Sequence, residues 1–271
     1  MQKKVVFYLI MIFLIFQGCM RESDIQQSSN SALIGDLGQI SLSCHDLEKS
    51  LSFYEKLHYS KLNVQSNANV PWALISDGSQ LYMLSENEFP SPALTFYGRS
   101  LPNRINRMQA KGIDFDLIYD QEGQLKSAVL KNPADINITL INFDSKLISK
   151  PKKNPEFFLG NFDHLKIPTP DIGQSIAFWN QLGFLNPHKN KTDSGAAYLY
   201  QAGLWLDFSQ DTVLQRPALV YKLESGTIES FTAKLKADDI KFENIESAGQ
   251  KGIKIESPDQ QAIVVFVSNP D

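Results

Sequence analysis

Apolar and polar positions follow two rhythms along this chain, and both rhythms recur. A short strand-like run, Ile40 to Ser43, precedes an aspartate and then apolar residues at helical spacing, Leu47, Leu51 and Tyr54. The same order returns as a strand over Leu165 to Pro168 followed by Ile172, Ile176 and Trp179. Asp46 and Asp171 stand where N-caps belong, and Gln174, three residues after Asp171, predicts a capping box. Gly183 occupies the expected left-handed C-cap position; His58 takes that place in the first copy, which histidine tolerates at positive φ. Strand-like runs follow, "VPWALISDGSQLYMLS" and "GAAYLYQAGLWLDFS". Each copy then starts over with a strand (Ala93 to Tyr97; Ala218 to Leu223), a helix (about Asn103 to Ala110; about Ile228 to Ala237) and further strands. The predicted unit is βαβββ, used four times in two paired sets.

The copies keep register. "ISLSCHDLEKSLSFYEKLHY" from Ile40 lies under "LKIPTPDIGQSIAFWNQLGF" from Leu165 at an offset of 125 (165 minus 40). "PALTFY" from Pro92 recurs as "PALVYK" from Pro217, and "NPADINITLINF" from Asn132 recurs as "SPDQQAIVVFVS" from Ser257, both at 125. The chain is therefore predicted as two related domains, residues 35–146 and 160–271, joined by a basic, proline-bearing linker, 147–159.

The N-terminus departs from this pattern. Lys3 and Lys4 precede an apolar run from Val5 to Phe16, too short to span a bilayer comfortably, and then "QGCM". Cys19 directly after Gly18 resembles the lipidation site of a bacterial lipoprotein signal, which predicts a signal peptide over 1–18, a lipid on Cys19 and a polar, flexible tether over 19–34. The protein is then expected in the bacterial cell envelope, anchored to a membrane, with its domains in the periplasm or at the extracellular face. With Cys19 so assigned, Cys44 has no partner for an intramolecular disulfide and reads as a buried, inert thiol. Apolar content of 42%, charged content of 21% and a net charge of -4 fit a globular protein and give no nucleic-acid signature.

"FDHLKIPTPDIGQSIAFWNQLGF", the "DG" or "AG" before a strand, and the closing "SPDQQAIVVFV" resemble the vicinal oxygen chelate superfamily, which includes glyoxalase I, extradiol dioxygenases and bleomycin-resistance-type proteins. The resemblance covers nearly all of Leu37 to Val267. It implies an α+β fold of tandem glyoxalase-like domains, each of two βαβββ modules forming a half-open barrel around a cup. It also implies that the chemistry, where present, rests on a divalent metal held at four strand positions. Fold alone does not supply function, since such families contain metal enzymes and metal-free drug binders alike.

Under this resemblance the first position falls on His164, the late-strand position on Asp207, the third near Ala218 and the fourth on Val264. In the first copy Gln39, Tyr82, Ala93 and Thr139 stand in those places, so that domain reads as degenerate. One histidine with one aspartate falls short of the three protein ligands of a catalytic zinc site, or the two histidines and one carboxylate of non-haem iron. His164 and Asp207 are candidate metal ligands, and with Trp205 and Tyr221 candidate ligand-binding residues. Tyr198, Tyr200 and Trp72 are further aromatics that either line a cup or pack a sheet. His45 and His188 read as surface residues. No Gly-rich phosphate loop, Ser-His-Asp order or CxxC pair appears.

Three functions follow. The first is a module that binds a small, aromatic or amphiphilic molecule without a metal. The second is a metal-dependent lyase, isomerase or dioxygenase using His164 and Asp207. The third is a structural or partner-binding lipoprotein with a filled cup. Either a monomer or a homodimer satisfies the repeat.

Overall fold

The computed structural model describes residues 33–145, 148, 158–186, 196–210, 213–223, 227–247 and 249–267. The predicted signal peptide, Cys19 and His188 lie outside them. The chain is α+β, with two open, curved sheets and four helices among the described residues.

In the first domain β1 (Leu37–Ser43) leads to α1 (Leu47–Lys56), then β2 (Ser60–Gln65), β3 (Trp72–Ser76) and β4 (Leu81–Ser85). A second unit repeats this as β5 (Ala93–Gly98), α2 (Leu101–Gln109), β6 (Asp116–Tyr119), β7 (Leu125–Lys131) and β8 (Asn137–Asn142). The sheet order is β2-β3-β4-β1-β5-β8-β7-β6, so each βαβββ unit forms half a sheet and the halves join where β1 and β5 run antiparallel. The second domain repeats the plan with β9 (Asn161–Pro168), α3 (Ile172–Gln181), β10 (Ala196–Gln201), β11 (Leu204–Ser209), β12 (Ala218–Leu223), α4 (Ile228–Ala237), β13 (Phe242–Ser247), β14 (Gln250–Glu256) and β15 (Ala262–Val267). Its sheet order is β10-β11-β9-β12-β15-β14-β13. Where the first domain has β2, the second shows Leu185, which exchanges both backbone hydrogen bonds with Tyr200.

The helix ends form as their sequences dictate. Asp46 accepts from Lys49 N at 3.0 Å and Asp171 from Gln174 N at 2.8 Å. The reciprocal capping box forms at Thr227 and Ser230 of α4 instead of at Gln174. His58 and Gly183 follow their helices with φ of 64° and 96°, the left-handed turn that stops each helix. The second helix begins at Leu101, two residues before its expected start, with Pro102 in its first turn.

Alternation gives each sheet two faces. Ile40, Leu42, Leu94, Phe96, Leu165, Ile167, Leu206, Phe208, Leu219 and Ile263 point to one side, where they meet the helices in a core that runs unbroken through both domains. The ends of the predicted tether and linker join this core: Leu33 and Ile34 are buried, as is Leu159, and Phe158 stacks on His58 at 4.8 Å. These residues pack on the core although they fall within the spans expected as tether (19–34) and linker (147–159). Arg104 of α2 is buried and spends its guanidinium on backbone carbonyls of Ile34, Gly98, Arg99 and Ile141; burial lowers its pKa to about 10. Cys44 is buried, and burial followed by the nearby Asp259 pushes its thiol up to about 12.

Polar groups also bridge the domains. The turn between β3 and β4 is closed by Asp77, whose Oδ1 accepts from the backbone N–H groups of Ser79 and Gln80, both at 2.7 Å. Its Oδ2 accepts from the hydroxyls of Tyr82 at 2.9 Å and of Tyr221, from the other domain, at 2.8 Å. The Tyr221 hydroxyl also lies 2.5 Å from that of Tyr59. Burial and then the Asp77 carboxylate hold all three phenols well above their ordinary pKa. Asp259, in the loop between β14 and β15, accepts from His45 N at 2.8 Å and from the Ser50 hydroxyl at 2.5 Å at the start of α1. The exposed His45 ring lies 3.1 Å from the same carboxylate.

Candidate functional site

The face of the second sheet that turns away from the core is the cup. On β9 it carries His164 and Lys166, because Leu165 and Ile167 take the core face. Asp207 of β11 pairs with Lys166, and Tyr198 of β10 pairs with Asp207, so all four side chains share the cup face. Across β9, His164 faces Val220 of β12, and Val220 in turn faces Val264 of β15.

Register settles the chelating positions. Val220, not Ala218, stands opposite His164, while Ala218 pairs with Lys166. In the first domain Tyr82 pairs with Ile40, the counterpart of Leu165, and therefore matches Leu206 on the core face. Met83 is the true counterpart of Asp207, at an offset of 124 (207 minus 83). Aligning Gly78 with Gly203 hides this, because each glycine sits at a different place in its hairpin turn: Asp77 to Gln80 are enclosed by the Ser76–Leu81 pair, whereas the second hairpin pairs one step further, Gln201 with Leu204.

A bulge shapes the site. Tyr221 pairs with Phe162 and Val220 with His164, so Asp163 is an extra residue in β9. Its carboxylate turns back onto His164 Nδ1 at 2.7 Å and Lys222 Nζ at 3.0 Å. Burial opposes the ionised form of Asp163, but the hydrogen bond and charge of His164, and then those of Lys222, outweigh it and hold the carboxyl below its usual range. The other ring nitrogen, His164 Nε2, lies 3.5 Å from Asp207 Oδ2. His164 is 5% exposed and Asp207 2%, so the imidazole is clamped between two carboxylates. The edge of the Tyr198 ring meets it at a centroid distance of 5.4 Å. Burial, then Asp207 and Asp163, raise the Tyr198 pKa and keep its hydroxyl neutral.

The cup floor is apolar. Leu214, Ala218, Val220, Ala262, Val264 and Phe266 form a separate buried cluster. Lys166 Nζ reaches 3.5 Å from Ser247 Oγ on β13, four strands away in the sheet order, which measures how tightly the sheet curls. At the rim Tyr200 and Trp205 pack at 4.6 Å, and Tyr198 and Tyr200 are 38% and 39% exposed. Trp205 thus lies on the cup face with His164 and Asp207. Tyr221 does not: it is fully buried on the opposite face in the interdomain network, because it is adjacent to Val220 in the strand.

This donor set does not fit a chelated divalent metal. The two donors present already engage each other or Asp163, valines fill the two facing positions, and the Lys166 ammonium shares the face. Among the described residues no three His, Cys, Asp or Glu side chains converge as a metal-binding group. Sequence reasoning found His164 and Asp207 but missed Asp163 and Lys166. Lys166 was available from the two-residue period of the strand, whereas nothing in the sequence marks the bulge that turns Asp163.

No family model and no curated protein sequence matches the chain. Solved structures do. Homoprotocatechuate 2,3-dioxygenase from B. fuscum, as a variant in complex with HPCA, superposes with a TM-score of 0.59 at 15% identity over 88% of this chain and 72% of its own. The homoprotocatechuate 2,3-dioxygenase of Arthrobacter globiformis gives 0.59 at 16% identity, covering 90% of this chain and 84% of its own. A catechol 2,3-dioxygenase gives 0.56 at 13% over 87% and 88%. The chain therefore has the same fold as these ring-cleaving dioxygenases.

Proposed function

We propose that this protein is an exported, lipid-anchored binding protein that holds a small aromatic molecule at the cup of its second domain, without metal catalysis. The observation that carries this reading is the clamped His164 beside a half-exposed aromatic rim. A histidine fixed by Asp163 and Asp207 is a positioned hydrogen-bonding group, and Tyr198, Tyr200 and Trp205 offer ring faces and edges next to it. Lys166 and Lys222 add cationic groups that favour a ligand bearing a polar or anionic substituent. The alternative of lyase, isomerase or dioxygenase chemistry at His164 and Asp207 meets the valines of the facing strands.

The structural neighbours are named for catechol and homoprotocatechuate, and these are the first probes. Quenching of tryptophan fluorescence on titration, with a parallel rise in melting temperature, supports the reading. Both responses should weaken in His164→Ala and lose their optical component in Trp205→Phe. Turnover of either probe after addition of a divalent metal, or no response to any aromatic, would contradict it. Anchoring rests on Cys19 after Gly18: metabolic labelling with palmitate should mark the wild-type chain and fail on Cys19→Ala, and equal labelling of both would remove this part of the proposal.

A further inference from the structure

The first domain has a cup of its own, and its chemistry differs from that of the second. Gln39 stands where the second domain has His164, Ser41 where it has Lys166, and Met83 where it has Asp207. From Gln39 the row continues through Thr95 to Thr139 and Val129. No side chain of this set ionises near neutral pH.

Gln39 is 2% exposed, and its Oε1 accepts from the hydroxyl of Tyr97, a phenol that burial keeps protonated. Among the described residues nothing accepts from Gln39 Nε2. Reversing the amide does not help, since Nε2 would then face Tyr97 and leave Oε1 unspent. Ser127, fully buried, lies on the same face through its pairing with Ile141 and, beyond it, Tyr97; its hydroxyl also has no partner among the described residues. Buried amides and hydroxyls are almost always satisfied, and leaving them so costs stability. Two such groups share this face of the sheet. Thr139, Val129 and Leu74 on this face are only partly buried, whereas Val220 and Val264, the counterparts of Thr95 and Thr139, are fully buried.

We propose that the cup of the first domain binds a small uncharged molecule with a carbonyl or carboxamide acceptor, which receives a hydrogen bond from Gln39 Nε2. Ser127 and Thr139 supply hydroxyl partners, and Met83 and Val129 lie against its apolar part. An anion or cation is disfavoured because none of Gln39, Ser41, Met83, Thr95, Thr139 and Val129 compensates a buried charge. This site is independent of the second-domain cup.

The test uses the full chain labelled with nitrogen-15, with benzamide as the probe and benzoate as its charged counterpart. The Gln39 side-chain amide signals, identified by their loss in Gln39→Met, should shift saturably with benzamide and stay put with benzoate. Thr139→Val, nearly isosteric and at the accessible end of the row, should weaken the benzamide response, and His164→Ala should leave it unchanged. Gln39→Met should keep a cooperative thermal transition while losing the response; if that variant fails to fold, Thr139→Val carries the test. Amide signals that exchange magnetisation with ordered water only and ignore benzamide, or that move equally with benzoate, overturn the proposal. So does a response abolished by His164→Ala.

Discussion

At the scale of single residues, the second cup is an electrostatic clamp around one imidazole. Asp163 has a carboxyl held below its usual range, so its contribution to stability is present above the ordinary carboxylate pKa and is lost as pH falls through the lower folded value. The stability difference between wild type and Asp163→Asn should therefore be full at neutral pH and shrink as melts are run at progressively lower pH; a difference that grows in acid would contradict the clamp. His164 was legible because the repeat gave it a counterpart to be compared with. Asp163 was not, because the inserted residue reverses the alternation only between Phe162 and His164, too short a stretch near the strand's start to read as a bulge. Tyr221 was misplaced for a related reason: an aromatic in an alternating strand announces a face but not which one, and its neighbour Val220 took the cup.

At the scale of elements, the turn between β3 and β4 is the least legible piece and one of the most connected. The motif "DG" drew attention to Gly78, yet the work of the turn is done by Asp77, which closes it and accepts from Tyr82 and Tyr221. Tyr221→Phe removes a donor to Asp77 and the neighbour of the Tyr59 hydroxyl, leaving buried polar groups short of partners. Urea denaturation should show a loss of about 1–3 kcal/mol. Asp77→Ala should cost more, since it frees two backbone N–H groups as well, and in that background Tyr221→Phe should add little; full additivity would show that the two do not act as one network. The helices, by contrast, were readable almost to the residue, because Asp46, Asp171, His58 and Gly183 mark their ends chemically.

At the scale of the whole molecule, two sheets bury one continuous core between them, and Asp77, Asp259 and two lysines tie the domains together: Lys56 Nζ meets the carbonyl of Asp238 and Lys111 Nζ that of Gln181. Such a chain should unfold as one unit, with tryptophan fluorescence and far-ultraviolet circular dichroism giving coincident transitions in urea; two separated transitions would show that the domains are stable apart. The doubling of the fold was plain in the sequence, because register survived at three distant places. What the two cups do was not, because it depends on which face each side chain takes. The proposed metal-free second cup is tested by metal analysis of the purified chain after equilibration with ferrous iron, manganese or zinc and removal of excess ion. Substoichiometric metal, unchanged in His164→Ala, is the expected result. One ion bound per chain, lost in His164→Ala, would contradict it.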